Sequence, residues 1–140
     1  MDIWAATSQG DVDLVKRHLA SGTDINTAFI APGVPASGAT PLHLAVLFDQ
    51  RAMVEFLIDS GASINAPAKD EYGGAPLHWA AVLGRVEIAR RLVDAGADVN
   101  VMDKQGTPLD STRHEGLSES EARLEIAELL RAKGGRHGDE

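Results

Sequence analysis

The stretch Ala75-Pro76-Leu77-His78-Trp79-Ala80-Ala81-Val82-Leu83-Gly84, followed by Gly96-Ala97-Asp98-Val99-Asn100, decides the fold because it recurs. Its opening returns as Thr40-Pro41-Leu42-His43-Leu44-Ala45, 35 residues earlier, and as Thr107-Pro108-Leu109, 32 residues later. The closing element returns as Gly22-Thr23-Asp24-Ile25-Asn26 and Gly61-Ala62-Ser63-Ile64-Asn65, and Gly134-Gly135 ends a degenerate fourth copy. Self-similarity at such a period marks an array whose units bury their apolar faces against one another.

Hydrophobic periodicity places helices inside each unit. In the third copy Val86, Ala89 and Val93 fall at i, i+3 and i+7 with Ile88 and Leu92 beside them, while Arg85, Glu87, Arg90, Arg91 and Asp94 face away. The same stripe reads Val12, Leu14, Val15 and Leu19 in the first copy, and Met53, Val54, Leu57 and Ile58 in the second. The proline of each box suits the first turn of a preceding helix, where its missing N–H is harmless. Gly10, Gly84 and Gly116 are placed to end those helices in a left-handed conformation; the second copy has Asp49 there.

These residues resemble the ankyrin-repeat family: the Thr-Pro-Leu-His box, the turn glycine nine residues after the box opens, and the Gly-Ala-Asp-Val-Asn ending together cover roughly residues 1–135. The resemblance implies an all-α repeat solenoid of about four helix–turn–helix units with hairpin loops, the terminal units acting as caps. The expected units are 1–26, 27–65, 66–100 and 101–135 in one domain, followed by a polar tail over 136–140. The resemblance also implies a protein-binding role rather than an enzymatic one, and a histidine, here His43 and His78, that hydrogen-bonds the neighbouring hairpin.

Composition agrees and narrows the function. A chain of 140 residues hides about 68–70% of its unfolded surface, enough for a core. The net charge of −8 and the absence of a Lys/Arg stripe argue against a nucleic-acid partner, whose phosphates such a stripe would neutralise. No cysteine is present, so disulfides, thiolate metal sites and cysteine nucleophiles are excluded. No apolar run reaches the ~18 residues of a membrane span, and the start Met1-Asp2-Ile3-Trp4 has no basic leader. The expectation is a cytoplasmic protein, monomeric in isolation, with no cofactor or metal.

The ends depart from the pattern as caps would. Trp4 and Thr7 stand where the third copy has His78 and Ala81, and His18 stands for Leu92. Asp110, Ser111 and Thr112 replace His78, Trp79 and Ala80, and Arg131 replaces Val93. These swaps lead to the expectation of a complete array. Leu117–Arg123 adds six residues before the last amphipathic segment; Ser118 is the expected N-cap with Glu119 and Glu121 behind it, so that helix should start early.

The functional signal lies in loop lengths and helix ends. From each closing Asn to the next box there are 13 residues at 27–39, nine at 66–74 and six at 101–106. The long first loop holds Pro32 and Pro35 together with Phe29, Ile30 and Val34, apolar residues a merely solvated loop would not need. Repeat insertions collect on one face, often the binding face. The pairs before the helix-ending turns, Leu47-Phe48 and Val82-Leu83, are flanked in the outer copies by Ser8-Gln9 and His114-Glu115. In the resembled family such pairs face the concave groove and vary with the partner. An apolar centre with polar ends is the anatomy of an interface, and burying four such side chains supplies roughly 6–12 kcal/mol against an association cost of about 4–15 kcal/mol.

The partner-contact candidates are therefore Phe29, Ile30, Val34, Leu47, Phe48, Val82 and Leu83, with Tyr72 on the second hairpin as a further aromatic contact. Two arrangements stay open: the first loop joins the interface, or Phe29, Ile30 and Val34 fold back over Leu47, Phe48 and Leu83 as a lid. Trp79, which aligns with Leu44, is expected in the core, and Asn26, Asn65 and Asn100 are expected to bond backbone in turns. Asp110, Ser111 and His114 lie close in sequence but lack an orienting base and separate oxyanion donors, so no catalytic residue is assigned. The leading expectation is a protein–protein adaptor or regulatory module; a self-associating structural protein and a small enzyme or ligand-binding protein are the alternatives.

Overall fold

The computed structural model describes residues 1–113 and 120–139. Its described residues form eight helices: α1 (Ile3–Gln9), α2 (Val12–Ala20), α3 (Pro41–Leu47), α4 (Arg51–Asp59), α5 (Pro76–Leu83), α6 (Val86–Asp94), α7 (Pro108–Ser111) and α8 (Glu121–Ala132). They pair antiparallel within each unit, and the inner helices α1, α3, α5 and α7 stack in sequence while α2, α4, α6 and α8 form the outer row. The architecture is the expected all-α repeat solenoid.

Local chemistry fixes each helix start. Asp2 Oδ1 accepts from Ala5 N at 2.8 Å and Asp11 Oδ1 from Leu14 N at 3.1 Å. In α3 the Thr40 hydroxyl accepts from His43 N at 3.4 Å while His43 Nδ1 accepts from Thr40 N at 3.2 Å, a reciprocal cap. At α5 Ala75 has no side-chain oxygen, and only the His78 half survives, with Ala75 N donating to His78 Nδ1 at 3.0 Å. Ser120, not Ser118, caps α8: its Oγ accepts from Arg123 N at 3.2 Å. Ser118, Glu119, His114 and Gly116 lie outside the described residues. The last outer helix does start early, since α8 begins 13 residues before Gly134 (134 − 121) whereas α6 begins 10 before Gly96 (96 − 86).

The turns behave as their residues dictate. Gly10 and Gly84 end α1 and α5 at φ 75° and 70°, and Asp49 takes the same left-handed conformation at φ 54° after α3. The core runs the length of the array. The box leucines Leu42, Leu77 and Leu109 are buried, as are Met53, Leu57, Ile88, Leu92, Ile126 and Leu130 from the outer row. Small Ala45, Ala80 and Ala81 let neighbouring inner helices approach closely.

Polar bonds tie each unit to the next. Asn26 Oδ1 accepts from Ser63 N at 2.8 Å, Asn65 Oδ1 from Asp98 N at 3.0 Å, and Asn100 Oδ1 from Arg136 N at 2.8 Å. Each asparagine thus reaches the equivalent turn one unit along rather than its own. Residues 136–138, expected as a tail, are held on the last unit: Thr107 Oγ1 donates to Arg136 O at 2.6 Å, and Gly138 N donates to Asp110 Oδ2 at 2.9 Å. His137 Nδ1 completes the contact 2.6 Å from Asp110 Oδ1. Burial alone would raise the Asp110 carboxyl, but hydrogen bonds from Thr107, Gly138 and His137 outweigh it and hold it below the ordinary carboxylate range.

Candidate functional site

Two histidines build the frame beneath the groove. Thr40 N and Ala75 N can only donate, so Nδ1 of His43 and of His78 is the acceptor and the ring proton sits on Nε2. His43 Nε2 donates to Gly74 O at 2.8 Å and His78 Nε2 to Gly106 O at 3.0 Å. Those carbonyls immediately precede the next box, and each also accepts a bond that closes its own hairpin, from Ala68 N at 2.8 Å and Asp103 N at 2.9 Å. Both rings are buried. Desolvation lowers the His43 pKa to about 4, against smaller opposing effects of the Gly74 hydrogen bond and Asp70. The histidines are structural, as read from the sequence. Trp4, at the same position in the first unit, does the analogous work with a longer side chain, donating from Nε1 to Thr27 O at 3.0 Å.

The hairpins are linked above this frame. Lys69 N donates to Gly38 O at 2.8 Å and Lys104 N to Tyr72 O at 3.0 Å. Gly38, at φ 97°, lies where an added Cβ would sit 2.5 Å from the Lys69 carbonyl, so only glycine permits that contact. In the second hairpin Asp70 Oδ1 accepts from Tyr72 N at 2.9 Å and Gly73 N at 2.8 Å, a turn that fixes the base of Tyr72.

The candidate contact residues divide into two groups. Leu47, Tyr72, Val82 and Leu83 come together around a cavity of about 300 Å³, joined by Trp79 and by the polar Asp70, Asp103, Gln105 and Ser111. Phe48 lies next to Leu47 and is 51% exposed; Tyr72 is 46% and Leu83 38% exposed. These are large apolar side chains in contact with solvent rather than with the core. Arg85 holds the end of α3 in place, its guanidinium donating to Leu47 O at 2.7 Å and to Val46 O at 3.2 Å.

The first-loop candidates lie apart from that cavity. Phe29 packs on Trp4, ring centroids 5.6 Å apart, while Ile30 and Val34 are 61% and 43% exposed. Phe29 thus turns toward the first inner helix. Trp79, expected in the core, is only partly buried: its ring rests on His43 at 4.8 Å and also lines the cavity. Where Leu44 is buried, the larger indole packs on the core and also reaches the cavity wall. Sequence reasoning missed it there, and its size relative to Leu44 was the available signal.

Asp110 and Ser111 are both engaged within the last unit. The Asp110 carboxylate is occupied by Thr107 and the 136–138 segment, and Ser111 Oγ donates to Thr107 O at 3.4 Å. A wider, open depression of about 770 Å³ lies between the third hairpin and that segment, but its lining mixes Lys104 and Arg113 with Asp110 and Asp139, and among its described lining residues Met102 is the one large apolar side chain. Among the described residues no helix is long and apolar enough to cross a membrane.

Comparison with known proteins agrees with this frame. A family model for ankyrin repeats (3 copies) matches residues 3–103. The Escherichia coli (strain K12) ankyrin repeat protein YahD is 47% identical over 64 residues, which is 46% of this chain and 29% of YahD. An ankyrin repeat-containing protein of Schizosaccharomyces pombe is 36% identical over 64 residues, 46% of this chain and 28% of its own length. The matched segment therefore spans less than a third of either relative. Ankyrin repeats are in general protein–protein interaction modules. With the repeated boxes, the stacked helix pairs and the matched family model in agreement, this chain belongs to the ankyrin-repeat family.

Proposed function

We propose that the chain is an adaptor or regulatory module that holds another protein in the groove formed by Leu47, Phe48, Tyr72, Val82 and Leu83. The observation that carries this reading is the solvent exposure of Tyr72 and Leu83 around one cavity, with exposed Phe48 next in sequence to its lining residue Leu47. Phe29, the most apolar element of the long first loop, is engaged with Trp4 instead of covering them. Exposed apolar patches with a polar surround are characteristic of contact surfaces. Ile30 and Val34 extend the apolar surface on the first loop and serve as secondary contacts in this reading.

The test is capture from source-organism lysate by the intact chain beside Phe48→Glu and Leu83→Glu variants. Their folds are checked by circular dichroism, and the captured protein is then measured against each bait by calorimetry. Both positions are exposed, so the substitutions should leave the fold intact while binding is lost. Undiminished binding in both folded variants would refute the groove as the contact surface. Light scattering that gives a mass above 14.8 kDa for the isolated chain would instead favour self-association through the same face.

A further inference from the structure

The cavity beside Tyr72 and Trp79 is apolar on one side and acidic on the other. Asp70 and Asp103 line its hairpin side, and among its described lining residues there is no lysine or arginine. Each carboxylate commits one oxygen to its own turn: Asp70 Oδ1 as described, and Asp103 Oδ1 to Gln105 N at 2.7 Å and Gly106 N at 2.9 Å. The second oxygen of Asp103 receives no hydrogen bond from the described residues. Its neighbour His78 Nε2 is 3.7 Å away and directs its proton at Gly106 O. The Asp103 side chain is only 7% exposed. A largely buried carboxylate with an open oxygen, on a side chain that lines this cavity and also the neighbouring depression, is poised to accept from a donor that enters.

The chemistry of the walls selects the donor. A wholly apolar anchor filling the cavity would strip the remaining water from Asp103 and leave it unpaired, which is unfavourable. A guanidinium is planar, weakly hydrated, stacks on aromatic faces and presents paired donors to a carboxylate. The net charge of −8 favours the approach of a basic partner. We propose that this cavity receives an arginine side chain of the partner protein, its guanidinium against Tyr72 and Trp79 and paired with Asp103, with Asp70 as second acceptor. This inference rests on the protein-binding reading above.

The test titrates the isotope-labelled full chain with N-acetyl-arginine amide and with N-acetyl-citrulline amide, a neutral probe of the same shape. Arginine amide should shift the Trp79 indole resonance and the Gly74 and Ser111 amides saturably, leaving the Trp4 indole as an unmoved control. Binding should weaken about tenfold for the citrulline probe and for Asp103→Asn, which keeps an oxygen for the turn. Asp70→Asn serves as the second charge-neutral variant should Asp103→Asn disturb the remaining spectrum. Equal response to both probes, shifts indifferent to both variants, or no shift would overturn the proposal.

A selection separates this inference from its parent. Peptides from a random displayed library are retained if they bind the intact chain and not Leu83→Glu. Arginine-containing peptides that lose binding to Asp103→Asn support the proposal. Groove-dependent peptides without basic residues overturn it and leave the protein-binding reading standing. A library that yields no groove-dependent peptide counts against both.

Discussion

Protonation of His43 should couple fold stability to pH in a defined window. The ring is buried, with Nδ1 accepting from Thr40 N and Nε2 donating to Gly74 O, so a second proton would abolish the first bond and place a charge in the core. Its pKa is lowered to about 4 from 6.5. In the unfolded chain the ring takes up its proton at the ordinary value, so between these limits the unfolded state binds more protons and stability rises with pH. The contribution is complete above about pH 6.5, declines as pH falls toward 4 and is flat below that. At about 1.36 kcal/mol per pH unit between about 4 and 6.5, the loss is on the order of 3 kcal/mol. Small domains have only ~5–15 kcal/mol in total.

The assay is urea unfolding between pH 7.5 and 4, comparing the intact chain with His43→Gln. Subtraction removes the titration of the carboxylates, which both proteins share. The intact chain should be more stable at neutral pH, and the difference should shrink as pH falls through the window. A difference that stays constant from pH 7.5 to 4 would refute the assignment of a neutral, doubly bonded imidazole at this position.

The other predictions concern caps, turns and rungs. Ala75→Thr should restore the side-chain half of the reciprocal cap that Thr40 and Thr107 make, raising stability by about 0.5–1 kcal/mol in denaturant titrations. Asp49→Gly should relieve the left-handed strain at φ 54° and raise the midpoint of thermal unfolding by a few degrees. Its ion pair with Arg51, at 3.5 Å on the surface, offers little compensation. Asn65→Ala removes the bond to Asp98 N and should cost about 0.5–1.5 kcal/mol, with faster amide exchange at Asp98 as the local sign.

Much of this frame was legible because each repeat states its own local chemistry. Thr40-Pro41 and Thr107-Pro108 mark helix starts, Gly10 and Gly84 mark ends, and the apolar stripe of α6 reappears in α2 and α4 at the same offsets. Leu47, Val82 and Leu83, which line the cavity, stand out in the sequence for a related reason, as large apolar residues at positions that are polar in the outer copies.

What escaped depends on which way a side chain turns across units. Nothing in Phe29 itself says that it meets Trp4 rather than Leu47 or Phe48; the indole there has already displaced the usual histidine and reaches the start of the loop. Likewise Asp110 marks a departure from the histidine pattern, but only the fold shows that His137 and Gly138 return to it. The asparagines were recognised as turn residues, whereas their actual partners lie 33 to 37 residues away.

Each junction between units is fastened twice, by an asparagine at the outer turn and by Trp4, His43 or His78 at the inner box. Two separated pins fix rotation as well as spacing, so the curvature of the solenoid is written in backbone acceptors and donors near its two edges. The side chains of Leu47, Phe48, Val82 and Leu83 take no part in that fastening. Under the binding reading proposed above, that face can therefore be rewritten one residue at a time without changing the shape that presents it, leaving binding preference and architecture free to evolve separately.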